Sequence, residues 1–351
     1  MTTNKSTRLS LKVKIIIAFL SIVILILGGM ALSYYLKFFK PNVSGKEDYL
    51  YIKTGQGFDD VYQTIRTNEL LKDSSSFKEA ALMMDYPLVV KPGKYRLNKG
   101  QNNRSLINML KAGNQESVKL KFKTHRLKEQ MAAYISTQIE ADSASIVNLL
   151  DSAEYIRKYG FTTDNVYSAF IPNSYEFYWN TSAEEFFEKM YAEYKKFWTE
   201  ERKKKAAAVN LDELQVSALA AIVDAEALYD PEMPTIAGLY LNRYRKGIKL
   251  QADPTVIFAN QDFTIRRVLN KHLRKDSPYN TYVYRGLPPG PIMMPSINAL
   301  DAVLNYEKHN YIYMCAKEDF SGYHNFAVTV AEHQANARRF QQALNERNIK
   351  K

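Results

Sequence analysis

Cysteine is almost missing from this sequence. A single one, Cys315, stands among 351 residues, so no disulfide can close within the chain and no cysteine cluster can hold a metal. It falls in Y-I-Y-M-C-A (311–316), which alternates like a strand, and core packing is its expected role. Zinc-ligand spacing is missing as well: His324 has no nearby His or Cys partner at such a spacing, and neither a metal nor a cofactor is expected. There is no G-x-S-x-G elbow to support a serine nucleophile. The formal charge is +11, yet no RRM-type aromatic-basic signature and no glycine-rich phosphate loop accompanies it. Nucleic acid is therefore not an expected partner, and the charge points to anionic lipid or an acidic polymer.

Apolar residues, by contrast, are plentiful. A hydrophobic content of 46% supports a real core, and the length suits one large domain or two moderate ones. Residues 15–36 form an uncharged run of 22, and roughly 20 apolar residues cross a bilayer core. Lys5, Arg8, Lys12 and Lys14 precede the run with no acidic residue among them, which favours an amino terminus in the cytoplasm. Tyr34 and Tyr35 suit an interfacial position. A cleaved signal peptide is the competing reading, with Gly29-Met30-Ala31 as a small-residue site, but the run exceeds the ~7–15 residues usual there. The expected order is a cytoplasmic tail (1–14), an uncleaved single-pass helix (15–36) and a linker (37–46) containing Pro41, Asn42, Ser44 and Gly45.

Beyond the linker, Y-L-Y-I-K-T leads through Gly55 and Gly57 into a helical pattern of Phe58, Val61, Tyr62 and Ile65. The stretch Y-P-L-V-V-K-P-G-K-Y-R-L and a helix ending at Gly113 follow, together a small α+β module over 47–115. Residues 126–206 read as largely helical, broken by F-I-P-N-S-Y-E-F-Y-W, which could line a cleft or cap a core. The next helix starts near Asn210 or Asp212, either of which can cap it. Another opens at Asp230-Pro231 and runs to Lys246, with Gly247 as its stop. Past Gly247 the segments look short and turn-rich, with a rigid bend at Pro288-Pro289-Gly290. Y-I-Y-M-C-A and Y-H-N-F-A-V read as strands, and a final amphipathic helix runs from about Val330 to Glu346. The fold class is α+β: anchor helix, small module, and a larger mixed α+β domain over 116–351.

The chemistry centres on A-A-I-V-D-A-E-A-L-Y-D (220–230). Leu219, Ile222 and Val223 lie seven, four and three positions before Glu226, so on a helix they share its face, while Asp224 is expected to turn towards water. A carboxyl group on an apolar face loses solvation and its pKa rises, which lets it hold and deliver a proton near neutrality. A buried glutamate paired to Arg243 or Arg245 is the alternative. Gln251, Asp253, Asn280 and Tyr282 could engage sugar hydroxyls or acetamido groups, or could equally serve as backbone caps in short turns.

The array A-x-I-V-x-x-E, N-R at 242–243, L-Q-x-D-P-T-V, Y-N-T-Y, G-L-P-P-G-P-I and H-x-F resembles the YceG-like family, over roughly residues 48–346. The resemblance implies an endolytic murein transglycosylase held in the inner membrane by one span. It also implies that 47–115 is a LysM-like module and 116–351 the catalytic domain. The family's catalytic glutamate falls on Glu226, and Gln251, Asp253, Asn280, Tyr282 and, from H-x-F, His324 become candidates for holding sugar. Some positions depart from the family: Asp224 and Ala227 replace a common glutamate and a threonine or serine, Asn173 stands in I-P-N-S-Y for an aspartate, and Met294-Pro295-Ser296 follows G-P-I. The implied reaction cuts between N-acetylmuramic acid and N-acetylglucosamine, leaves 1,6-anhydromuramoyl ends and ends nascent strand growth. The implied partners are peptidoglycan strands, the cytoplasmic membrane and peptidoglycan synthases. A non-catalytic wall-binding scaffold and a muramidase-type hydrolase using Asp224 or Asp253 are the alternatives.

Overall fold

The structure, a computed structural model, describes residues 10–347. Lys5 and Arg8 of the expected cytoplasmic tail lie outside the described residues. Two compact units emerge, one ending at Val118 and taking in 178–180, the other made of 119–177 and the chain from 181 onward.

The first unit opens with α1 (Leu11–Phe38), capped by the Ser10 hydroxyl. Its apolar side chains point outwards all round, with Leu25 74% exposed, and it is long and apolar enough to cross a membrane. Then come β1 (Tyr49–Ile52), α2 (Phe58–Thr67), α3 (Ser74–Met83), β2 (Gly93–Arg96) and α4 (Asn103–Ala112). The two strands pair antiparallel, and the register Leu50↔Tyr95 sends both side chains into the core. Helical spacing brings Val61 and Ile65 of α2 and Leu106 and Leu110 of α4 onto the same core as Phe77 of α3.

The stretch expected to be a linker is instead packed into this unit. Phe38 and Val43 are buried, and the Asn42 side chain, 5% exposed, replaces the backbone partners that a buried loop would otherwise lack. Its amide donates to the Asp73 carbonyl (2.8 Å) and to Asn103 Oδ1 (2.7 Å), while its own Oδ1 accepts from the Asp73 N–H (2.8 Å). Asn42→Ala would leave those groups unsatisfied, and we expect it to cost about 1–3 kcal/mol in denaturant unfolding. An unchanged midpoint would show that the network contributes nothing.

The strand β3 (Ser117–Lys121) carries the chain from the first unit into the second, where α5 (Lys128–Ile135), α6 (Ser143–Asp151), α7 (Ala153–Arg157) and β4 (Ser174–Tyr178) follow, β3 and β4 pairing with each other. The break around Pro172 caps a core rather than lining a cleft: Phe170, Tyr175 and Phe177 are buried, and the Tyr175 hydroxyl donates back to the Ile171 carbonyl at 2.7 Å. There follow α8 (Ala183–Phe197), α9 (Glu200–Ala208), α10 (Glu213–Glu226), α11 (Met233–Arg245), α12 (Asp253–Asn260) and α13 (Ile297–Leu304). The chain closes with the antiparallel pair β5 (Tyr313–Ala316) and β6 (His324–Ala327) and with α14 (Val330–Glu346).

The helix α10 is the centre of this unit. Asp212 and Gln215 form a reciprocal capping box at its start, and α11 and α13 pack on it. Residues 216–223 are all buried, so α10 is apolar on every side and has no single stripe. That corrects the expectation for Asp224: it is turned to protein, and its Oδ2 accepts the Ser296 N–H (2.6 Å) at the start of α13. The segment after Gly247 is also less irregular than expected, because Pro254 in the first turn of α12 suits a helix start. Gly290, in the rigid bend, lies so close to the Asp164 backbone that a Cβ would sit 2.0 Å from its carbonyl oxygen.

Candidate active site

Glu226 is the last residue of α10, and the chain turns extended at Ala227. Its side chain therefore leaves the apolar core at the floor of a cavity of about 340 Å³. Tyr240 of α11, itself buried, donates its hydroxyl to Glu226 Oε1 at 2.8 Å. Burial pushes the Glu226 carboxyl up to about 7, the Tyr240 hydrogen bond pulls against that rise, and the charge of Asp253 adds to it. The Tyr240 phenol is held well above its usual value by the same burial, so it remains a donor.

Neither arginine is the partner of Glu226. Arg243 is buried and directs its guanidinium to the Lys249 carbonyl (2.9 and 2.7 Å), the Ile312 carbonyl (2.6 Å) and Gln251 Oε1. Arg245 lies over the Tyr306 ring and donates to its hydroxyl. Glu226 thus has a phenol, and not a cation, as its side-chain partner.

Gln251, Asp253, Tyr282 and His324 line the cavity together with Glu226. Gln251 adopts a left-handed backbone (φ 54°), held by its N–H on the Thr281 carbonyl (3.2 Å), while Arg243 engages its side-chain oxygen. Asp253 opens α12, and its Oδ1 accepts the Tyr282 hydroxyl at 2.6 Å. The strand β6 carries His324, whose N–H and Nδ1 meet the two carboxyl oxygens of Glu232 at 2.7 and 2.8 Å.

Asn280 is the exception. It is fully buried, does not line the cavity, and spends its amide on the carbonyls of Leu273 (3.0 Å) and Lys275 (2.8 Å). Its Oδ1 accepts the Tyr282 N–H at 3.0 Å. The structure thus corrects its assignment from sugar contact to support for Tyr282. Cys315 is likewise not in the core proper, because the half-buried β5 forms one wall of the cavity.

Sequence reading passed over Tyr240, Glu232 and His333. Tyr240 stands 14 residues from its partner Glu226 and Glu232 stands 92 from His324, and no local spacing announces either pairing. His333 at the start of α14 stacks on Tyr313 (5.2 Å), and burial lowers its pKa.

The phenol of Tyr240 offers a direct probe of Glu226. A hydrogen bond to the ionised form lowers a carboxyl pKa, so removing it raises the pKa further. Tyr240→Phe should therefore move the Glu226 ionisation upward from about 7, read as a higher-pH limb in the activity profile or by carboxyl titration. A downward shift would overturn the assigned geometry.

A mixed helical unit with a carboxyl group at the end of its central buried helix, facing a cavity of tyrosine, carboxylate and histidine, defines a class of proteins. The sequence model of the YceG-like family matches residues 50–339, and the chain belongs to the YceG-like family. An endolytic murein transglycosylase of Bacillus subtilis (strain 168) is 26% identical over 318 residues, which are 84% of this chain and 85% of that one. An endolytic murein transglycosylase of Streptococcus pneumoniae is 29% identical over 111 residues, which are 30% of this chain and 20% of that protein. In fold, the chain is similar to a crystal structure of a YceG-like protein from Listeria monocytogenes, with a TM-score of 0.54 and 24% identity, covering 82% of this chain and 98% of that one.

Proposed function

We propose that the protein is an endolytic peptidoglycan lytic transglycosylase in which Glu226 acts as both acid and base. The observation that carries this reading is one carboxyl group, lifted to about 7, at the floor of a polar-walled cavity. A group with that pKa is protonated often enough to act as an acid and ionised often enough to act as a base at neutral pH. Protonated Glu226 gives its proton to the glycosidic oxygen between N-acetylmuramic acid and N-acetylglucosamine as the C1–O bond breaks. The resulting carboxylate then takes the proton of the muramoyl C6 hydroxyl while O6 bonds to C1. A 1,6-anhydro end forms, the glutamate regains its proton, and no water is consumed. Tyr240 steadies the carboxylate between the two steps.

Gln251, Asp253, Tyr282 and His324 hold the sugars in this proposal, with Glu232 fixing the His324 ring and Asn280 holding the loop that carries Tyr282. The helix α1 would anchor the protein in the cytoplasmic membrane, with the amino terminus in the cytoplasm and the second unit outside. The first unit, which spans the module read as LysM-like, would bind glycan. Cutting there would end the growth of nascent strands, alongside the synthases that make them.

Ordinary glycosidases commonly use two carboxylates and water, and Asp253 in the same cavity keeps a muramidase-type reading open. Mass spectrometry of glycan digested by the purified protein separates the readings. Anhydro ends support ours, reducing ends would establish the hydrolase, and intact strands would leave a wall-binding scaffold.

A further inference from the structure

We propose that the first unit rests on the membrane surface, with the end of α1, the end of α3 and the start of α4 seated in the lipid headgroup layer. The inference rests on reading α1 as a membrane span. A flexible tether would let the unit float, but none is present: Phe38, the last residue of α1, is buried in the core of the unit. The Asn103 amide of α4 donates to the Lys37 carbonyl at 2.9 Å, and Lys37 pairs with Glu79 of α3 at 2.6 Å. Span and unit are one rigid piece.

That join sets the depth of the neighbouring side chains. At 1.5 Å per residue the apolar run of 15–36 is about 33 Å long, close to the ~30 Å of a bilayer core, so the chain leaves hydrocarbon near Leu36. Headgroups occupy roughly 5–8 Å more on each side. Met83 Sδ lies 3.9 Å from the Lys37 ammonium, which keeps the end of α3 within that layer.

The chemistry of this face matches its depth. Leu82 and Met83 are 53% and 60% exposed, an arrangement that is costly in water and favourable at a lipid boundary. At the start of α4, the Arg104 guanidinium lies over the Phe39 ring at 5.4 Å, and Tyr34 packs on Phe38 and Phe39. Aromatic rings and cations just beyond a span are suited to the membrane–water interface and to lipid phosphates. The charge of Glu79, the acidic group beside Lys37, is answered by that lysine. A unit seated this way keeps its own reach close to the bilayer from which new strands emerge.

The test uses the full chain with Cys315→Ser, in vesicles of phosphatidylethanolamine and phosphatidylglycerol that carry a lipid-bound quencher near the headgroup. A dye is placed in turn at Leu82→Cys and at Leu25→Cys in the span, each read with and without the lipid-bound quencher. We expect the dyes at 25 and 82 both to dim when the quencher is present. Adding Met83→Asp and Arg104→Glu should lower quenching at 82 while leaving 25 unchanged. An unquenched dye at 82 beside a quenched dye at 25 would overturn the seating and leave the anchor intact. An unquenched 25 would remove the anchor itself, and with it the seating. A dye at 82 shielded from water but untouched by the lipid quencher would point to a protein partner and also overturn the proposal.

Discussion

Glu226→Gln is expected to abolish strand cleavage and, at the same time, to stabilise the protein at alkaline pH. The amide keeps the size of the side chain and an oxygen for the Tyr240 hydroxyl, but it has no proton to give. General acid–base catalysis contributes about 10²–10⁴-fold, and because one group serves in both directions the loss should lie at or beyond the upper end. The stability effect follows from the raised pKa of about 7 against an ordinary 4.5. The folded state holds this proton more tightly than the unfolded chain, so below about 4.5 the carboxyl costs nothing, and its cost grows as pH rises to 7 and then levels off. Glutamine escapes that cost. The side chain is half-buried by exposed area, so screening reduces the gain to about 1–2 kcal/mol at pH 8, vanishing near pH 4. Thermal melts at the two pH values check this, and equal stabilities at pH 8 would mean that burial does not raise the Glu226 pKa.

Asp253→Asn should produce the second largest loss, on the order of 10²-fold in kcat/KM, through two effects that can be told apart. First, the charge of Asp253 helps to raise the Glu226 pKa, so its removal should lower that pKa and shift the alkaline limb of the activity profile downward. Second, Tyr282 loses the carboxylate that accepts its hydroxyl at 2.6 Å, which should weaken the hold on sugar and raise KM. If Asp253 instead activates water, the variant should lose reducing-end products, while the shift of the Glu226 limb is expected under either reading. Product masses measured on the variant decide between the two, and the pH profile checks the charge of Asp253 on Glu226.

How much of this was legible beforehand can be judged residue by residue. Asp212, one of two candidate caps, starts α10, α14 runs from Val330 to Glu346 as its pattern suggests, and Gly247 follows the end of α11, because caps and stops act within one turn of the chain. The uncharged run within α1 and the alternation in β5 and β6 are local in the same way. Glu226 was reachable too, although the reason differed: its face is not a stripe, since α10 is buried on all sides, and its depth comes from standing at the end of that helix.

Contacts made across the fold were not legible. The short turn holding Asn42 has the composition of a linker, and only the Asp73 backbone and the Asn103 amide turn it into a packed joint. Asn280 and Gln251 are both polar residues of loops, yet one amide is consumed by carbonyls of its own loop and the other side chain reaches the cavity. By itself the sequence determined the membrane-length helix, the start of α10, the stop of α11, the course of α14 and a carboxyl group at the end of 220–226, all of them effects that act within a few residues. Only the tertiary structure decided that Tyr240 and not arginine meets Glu226, that Glu232 grips His324, and that Asp224 turns to Ser296. Those pairings depend on how helices cross and strands return, and burial then sets which charges can exist there.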